Sequence, residues 1–130
     1  MAIKVTHPRP EFTDDRGGIT RVIDQDKVTF RAILRITSNK GSIRSNHYHK
    51  NDHHYLYIES GKCEYSEKKA SDPNAKVETV TLKPGDMVLS KPGMIHAVKF
   101  LEDCVLYAFT TEKREQDKYE QDTVRVKIIE

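Results

Sequence analysis

The sequence predicts an all-β domain, an antiparallel sandwich or barrel, on three observations. The dominant hydrophobic period is two: Val28, Phe30, Ala32, Leu34 and Ile36 alternate with Thr29, Arg31, Ile33, Arg35 and Thr37, the pattern of a half-buried strand. Short apolar segments recur along the chain, separated by turn signals at regular spacing. Only residues 111–121, rich in Glu, Lys and Gln, have the composition of a helix, and a short one.

Taken in order, the predicted strands begin with residues 19–24 and the alternating run 28–37. Asn39-Lys40-Gly41 then turns the chain into the segment containing His47 and His49. Residues 54–60 and 62–66 flank Ser60-Gly61, and residues 77–82 follow a hairpin loop at 70–75 that contains Asp72-Pro73-Asn74. Pro84-Gly85 and Pro92-Gly93 bracket a strand at 86–90, after which 96–101, 105–111 and 123–129 complete the set. No linker, internal repeat or low-complexity tract interrupts this order, so residues 1–130 read as one domain, long enough to bury a single core.

With 22 basic and 20 acidic residues, the net charge is only +2 and the signs are mixed along the chain. Nothing in that balance demands nucleic acid or an anionic membrane as a partner. The first residues lack the apolar run of a signal peptide and no stretch approaches transmembrane length, so a soluble cytoplasmic protein is expected. Cys63 and Cys104 form no C-x-x-C pair and sit in strand-like segments, where they read as reduced packing thiols.

The chemistry concentrates in histidine. Four of the six histidines stand between His47 and His54, and His96 follows the Lys91-Pro92-Gly93 turn. His47 and His49 are two apart, so on a strand both imidazoles project from one face and converge on one ion. The third ligand is His53 or His54. His54 opens the apolar strand that includes Leu56 and Ile58 and shares their inward face, so it is the expected ligand and His53 the bystander. His96 completes the set from a neighbouring strand. Neutral imidazoles suit one divalent transition metal (Zn, Fe, Ni, Cu or Mn) better than Mg or Ca. His7, beside Pro8, reads as a surface residue.

These spacings match a family. Gly41-x5-His47-x-His49-x4-His54-x6-Gly61 resembles the first cupin motif, which usually has Glu at the His54 position, and Gly85-x6-Pro92-Gly93-x2-His96 resembles the second, with one extra residue before the proline. Phe100 stands where that second motif often has Asn. The resemblance implies a double-stranded β-helix, the jelly-roll barrel of cupins, in a single domain. Small metal-binding cupins with four histidines also exist, so metal binding survives the loss of the carboxylate.

A narrower resemblance lies outside those motifs. Phe12-x-Asp14-x-Arg16-Gly17 and Ile43-Arg44-Ser45-Asn46-His47-Tyr48 look like segments of cupins that act on nucleotide sugars, the 4-keto-sugar 3,5-epimerases and 3,4-ketoisomerases, with Ser45 in place of their usual glycine. Metal-binding cupin domains of capsular polysaccharide proteins also carry an Asn-His-Tyr-His stretch like that from Asn46 to His49. In the epimerases the histidine at the His47 position is a base, the arginine at the Arg44 position contacts the diphosphate, and a strand tyrosine is the acid. Tyr107 is the candidate for that acid, and Asp122 for the acidic partner of the base. Read from the strand pattern alone, Tyr107 is equally a packed sheet residue, Arg44 a solvated one, and Arg16 a member of a structural ion pair.

The roles conflict, because a metal-bound histidine has no lone pair left to act as a base. The expectation is therefore a metal-binding cupin that isomerises or epimerises a 4-keto nucleotide sugar in polysaccharide biosynthesis, as a homodimer whose partner copy covers strand edges. The competing readings are a metal-dependent oxygenase of a small molecule and a non-catalytic metal or small-ligand module, since the cupin fold hosts all three.

Overall fold

A computed structural model describes residues 3–113 and 115–130. The strands are β1 (Val5–Thr6), β2 (Pro10–Asp14), β3 (Gly17–Thr20), β4 (Ala32–Ser38), β5 (Ile43–His49), β6 (His54–Ser60), β7 (Cys63–Lys69), β8 (Glu78–Leu82), β9 (Met87–Ser90), β10 (Met94–Phe100), β11 (Cys104–Thr110) and β12 (Thr123–Arg125), with one helix, α1 (Gln116–Asp122), before the last. Two five-stranded antiparallel sheets, in the orders β1-β9-β6-β11-β4 and β12-β5-β10-β7-β8, form the barrel, and β2 and β3 make a separate hairpin. From β4 to β12 almost every turn carries the chain from one sheet to the other, and β7–β8 is the exception that stays in its sheet. That alternation winds the jelly roll. Among the described residues no helix is long and apolar enough to cross a membrane.

Period two does the sorting. On β6, His54, Leu56 and Ile58 are buried while Tyr55 and Tyr57 are only half-buried, and on β11 Leu106, Ala108 and Thr110 are buried against half-buried Val105, Tyr107 and Phe109. The core joins these inward rows to Cys63, Tyr65, Leu82, Val98 and Phe100 of the facing sheet. Cys63 and Cys104 are buried, free thiols, as packing residues should be. The β6–β7 crossover passes so close to β11 that a Cβ on Gly61 would stand 2.3 Å from the Asp103 carbonyl oxygen, and its φ of 84° is left-handed. Only glycine serves there.

Several boundaries differ from the sequence expectation, each for a local reason. The alternating run starts at Ala32 and not at Val28 because the Gln25 side chain accepts from the Lys27 and Val28 amides and donates to the Val28 carbonyl, closing a turn. Phe30 instead packs edge-on against Tyr55, with ring centroids 5.3 Å apart. The helix is Gln116–Asp122, displaced from the predicted 111–121, because the Thr111 and Glu112 amides are committed to the Asp52 carboxylate. Arg114, within that predicted stretch, lies outside the described residues, as do Met1 and Ala2. The last strand stops at Arg125, and the Val126, Ile128 and Ile129 amides turn to Asn46. His7 is not a free surface residue: its Nδ1 lies 2.7 Å from Asp86 Oδ1 and ties the N-terminal strand to the β8–β9 turn.

Candidate metal centre

Strand register assembles the histidines. His47 and His96 are directly opposite on β5 and β10, and His49, two residues on, faces the same way. His54 enters from β6 of the other sheet. All four are buried, none more than 8% exposed. Ring centroids are 4.7 Å apart for His47–His49, 4.8 Å for His47–His96 and 4.4 Å for the stacked pair His49–His54. Donor atoms of His47, His49 and His96 lie within 4.8 Å of one another, and those of His49, Asp52 and His54 form a second such group. The four histidines and Asp52 thus make two overlapping triads that share His49, and the His54 and His96 ring centroids are 6.3 Å apart.

Among the described residues, protein groups face one ring nitrogen of each of His49, His54 and His96. His54 Nε2 is 2.7 Å from Asp52 Oδ2. His96 Nδ1 is 2.9 Å from Ser90 Oγ and 3.4 Å from the Met94 carbonyl, and its ring stacks on Tyr65 at 6.3 Å. His49 Nδ1 faces Asp122 Oδ2 at 3.5 Å and Thr123 Oγ1 at 3.4 Å. Metal-ligating imidazoles are oriented in this way, with the second nitrogen fixed by a carboxylate, hydroxyl or carbonyl. Burial, reinforced by the neighbouring His47, His49 and His54, holds His96 well below its ordinary pKa, so it is neutral and its lone pair available. A buried set of imidazole donors is compatible with a divalent transition metal. His53 is in neither donor group among the described residues, and its backbone bonds to Thr111.

Beside the cluster is a cavity of about 170 Å³. Apolar residues such as Leu34, Leu56, Phe100 and Leu106 line most of it, with Arg44, Ser45, His47, His54, His96 and Tyr119 as its polar walls. Arg44 and His47 are three residues apart, and strict alternation would point them to opposite faces. A bulge prevents this. The register shifts between His96 and Ala97, Asn46 has no partner on β10, and Ser45 and Asn46 have φ of 74° and 56°. One extra residue restores Arg44 to the face of Val98, its opposite number on β10. Its guanidinium donates to Ser38 Oγ at 2.6 Å and the Thr37 carbonyl at 3.1 Å, bridging to the end of β4.

Two candidates are placed differently from the expectation. Tyr107 does not reach the cavity: on β11 it alternates with Leu106 and Ala108, which line it, and so it lies on the outer face of the sheet, opposite Tyr57. The tyrosine at the cavity is Tyr119 of α1, whose ring centroid is 5.9 Å from that of His49. Asp122 stands beside His49, and it caps the β5–β6 loop by accepting from the Asn51 and Asp52 amides. Arg16 pairs with Asp14 at 2.6 Å on the exposed β2–β3 hairpin. Asp52 is the residue that sequence reasoning missed. Its i, i+2 spacing to His54 was the available signal, hidden by the histidines around it.

The Cupin family pattern matches residues 4–126. The chain belongs to the cupin family. No curated protein matches this cupin by sequence. Among solved structures it is similar to dTDP-4-dehydrorhamnose 3,5-epimerase from Sulfolobus tokodaii, at 22% identity and TM-score 0.75 over 91% of this chain and 74% of that one. It is similar also to QdtA, a sugar 3,4-ketoisomerase from Thermoanaerobacterium thermosaccharolyticum in complex with TDP, at 20% identity and TM-score 0.75 over 95% and 87% of the two chains. A 3,4-ketoisomerase from Helicobacter canadensis matches at 18% identity and TM-score 0.74, covering 96% and 91%. At these identities the likeness shows a shared fold.

Proposed function

We propose that this cupin is a metal-dependent isomerase or epimerase of a 4-keto nucleotide sugar. One observation carries the reading: the β5 bulge turns Arg44 into the same cavity as His47, His54 and His96. A cavity of about 170 Å³ is well below the roughly 300–1,000 Å³ of sites that engulf a drug-sized ligand. It suits one sugar ring, with the diphosphate left at the mouth beside the Arg44 guanidinium. The resemblance of Phe12–Gly17 and Ile43–Tyr48 to nucleotide-sugar cupins, and the solved structures of matching fold, support the same class.

In this reading His47, His49 and His96 hold the metal, with His54 as the fourth ligand. A divalent transition ion there supplies Lewis acidity toward a carbonyl oxygen. The chain's own residues do the rest. Apolar walls exclude water, Arg44 fixes the diphosphate, and moving a hydrogen beside a ketone requires a group that exchanges a proton with carbon. Tyr119 takes that role, as the one lining group among the described residues that ionises and is neither a cation nor a proposed ligand. Assigning His47 to the metal removes it as the base, which resolves the conflict between the two roles.

The test is proton NMR in D2O with TDP-4-keto-6-deoxyglucose and metal-loaded protein. Exchange beside the ketone is expected, slowed about 100-fold or more in Tyr119→Phe and unaltered in Tyr107→Phe. No exchange, and no calorimetric binding of any nucleoside diphosphate sugar, sinks the reading. That outcome favours a small-molecule oxygenase, which the all-nitrogen donor set beside a small, mostly apolar cavity also fits.

A further inference from the structure

We infer that Asp52 is a positioning residue that fixes the tautomer of His54 and thereby makes His54 Nδ1 a lone-pair donor to the site. The metal part of this inference rests on the reading of the histidine cluster proposed above, and the tautomer part does not. Asp52 is 2% exposed. Its Oδ2 stands 2.7 Å from His54 Nε2. Its Oδ1 accepts from the Thr111 amide at 2.9 Å, the Thr111 hydroxyl at 3.0 Å and the Glu112 amide at 3.2 Å. With three donors converging on Oδ1 and an imidazole nitrogen on Oδ2, Asp52 is placed as an acceptor at both oxygens, so in neutral His54 Nε2 carries the hydrogen and Nδ1 the lone pair.

The clamp on Oδ1 makes the consequence of substitution specific. In Asp52→Asn the amide oxygen must still face the three donors from Thr111 and Glu112, because a side-chain NH2 in that place would meet donors with a donor. The NH2 is then turned toward His54 Nε2, which has to accept. The hydrogen moves to Nδ1, and the nitrogen that served the site becomes a donor. The substitution is nearly isosteric and keeps the backbone hydrogen bonds, so the fold has little reason to change.

Long-range proton–nitrogen NMR of the metal-free protein reads the tautomer, with His54 assigned by its loss in His54→Gln. The expected result is the Nε2–H form in the wild type and the Nδ1–H form in Asp52→Asn. Mixed tautomers in the wild type, or the same tautomer in both proteins, would overturn the inference. Titration with Zn2+ or Co2+ supplies the second readout, with affinity expected to fall about 10–100-fold in Asp52→Asn. Equal affinity in the two proteins would also overturn it. A wild type that binds neither ion defeats the metal reading while the tautomer result still decides the role of Asp52.

Discussion

Replacing Asn46 with alanine should destabilise the protein by about 3 kcal/mol, from two separable sources. The first is the tie to the C-terminal segment. Asn46 Oδ1 accepts from the Ile128 amide at 2.9 Å and the Ile129 amide at 3.2 Å, and Nδ2 donates to the Ile129 carbonyl at 3.2 Å. Three part-buried hydrogen bonds at ~0.5–1.5 kcal/mol each, discounted because a released tail regains water, amount to about 2 kcal/mol. The second is conformational. At φ 56° asparagine is tolerated far better than alanine, which adds about 1 kcal/mol. Asn46→Gly loses the hydrogen bonds but not the backbone freedom, so its cost should be nearer ~2 kcal/mol. Urea denaturation read as a midpoint shift at constant slope measures both variants, and the alanine variant should melt roughly 10 °C below wild type. Glycine costing as much as alanine would refute the argument from left-handed backbone. Both variants within about 0.5 kcal/mol of wild type, the range of an ordinary surface change, would refute the clamp itself.

Two further outcomes follow from the buried groups. His96 is held well below its ordinary range by burial and by His47, His49 and His54, so the unfolded chain takes up its proton first as the pH falls. Stability of the metal-free protein should therefore decline below about pH 6.5, by at most ~1.4 kcal/mol per pH unit from this group. Denaturation at pH 7.5 and 5.5 in the presence of a chelator should show the decline, and His96→Gln should flatten it. A wild-type stability that is constant or rises toward acid would contradict the assignment. Cys63 is fully buried and its thiol is pushed up to about 12, chiefly by burial. It should resist alkylation at pH 8 in the native protein and react at once in denaturant, and rapid native labelling at Cys63 would refute its place in the core.

Local pattern carried much of the architecture. Alternation along His54–Ser60 and Cys104–Thr110 is a property of consecutive residues, so the inward faces of β6 and β11, and with them the inward placing of His54, were legible without neighbours. The turns at Gly61, Gly85 and Gly93, all at positive φ, were legible for the same reason. The spacing of His47, His49, His54 and His96 likewise announced a shared site. Tyr107 shows the limit of motif reading: two neighbours in the cavity wall, Leu106 and Ala108, place it on the other face by parity alone. Tyr119 could not be chosen from the chain, because the position of a short helix depends on where Asp122 docks on the β5–β6 loop.

The sequence by itself determined the all-β class, the cupin motifs and the histidines that meet in the barrel, because strand periodicity and turn chemistry act between near neighbours. Tertiary structure decided which way Arg44 faces, which carboxylate holds His54 and which tyrosine reaches the cavity. The bulge that turns Arg44 inward is held by Asn46 gripping a segment some eighty residues further on. Asp52 is steadied by the end of β11, and Tyr119 by the docking of α1. Those are contacts between distant parts of the chain, set by how the two sheets close on each other, and no local pattern encodes them.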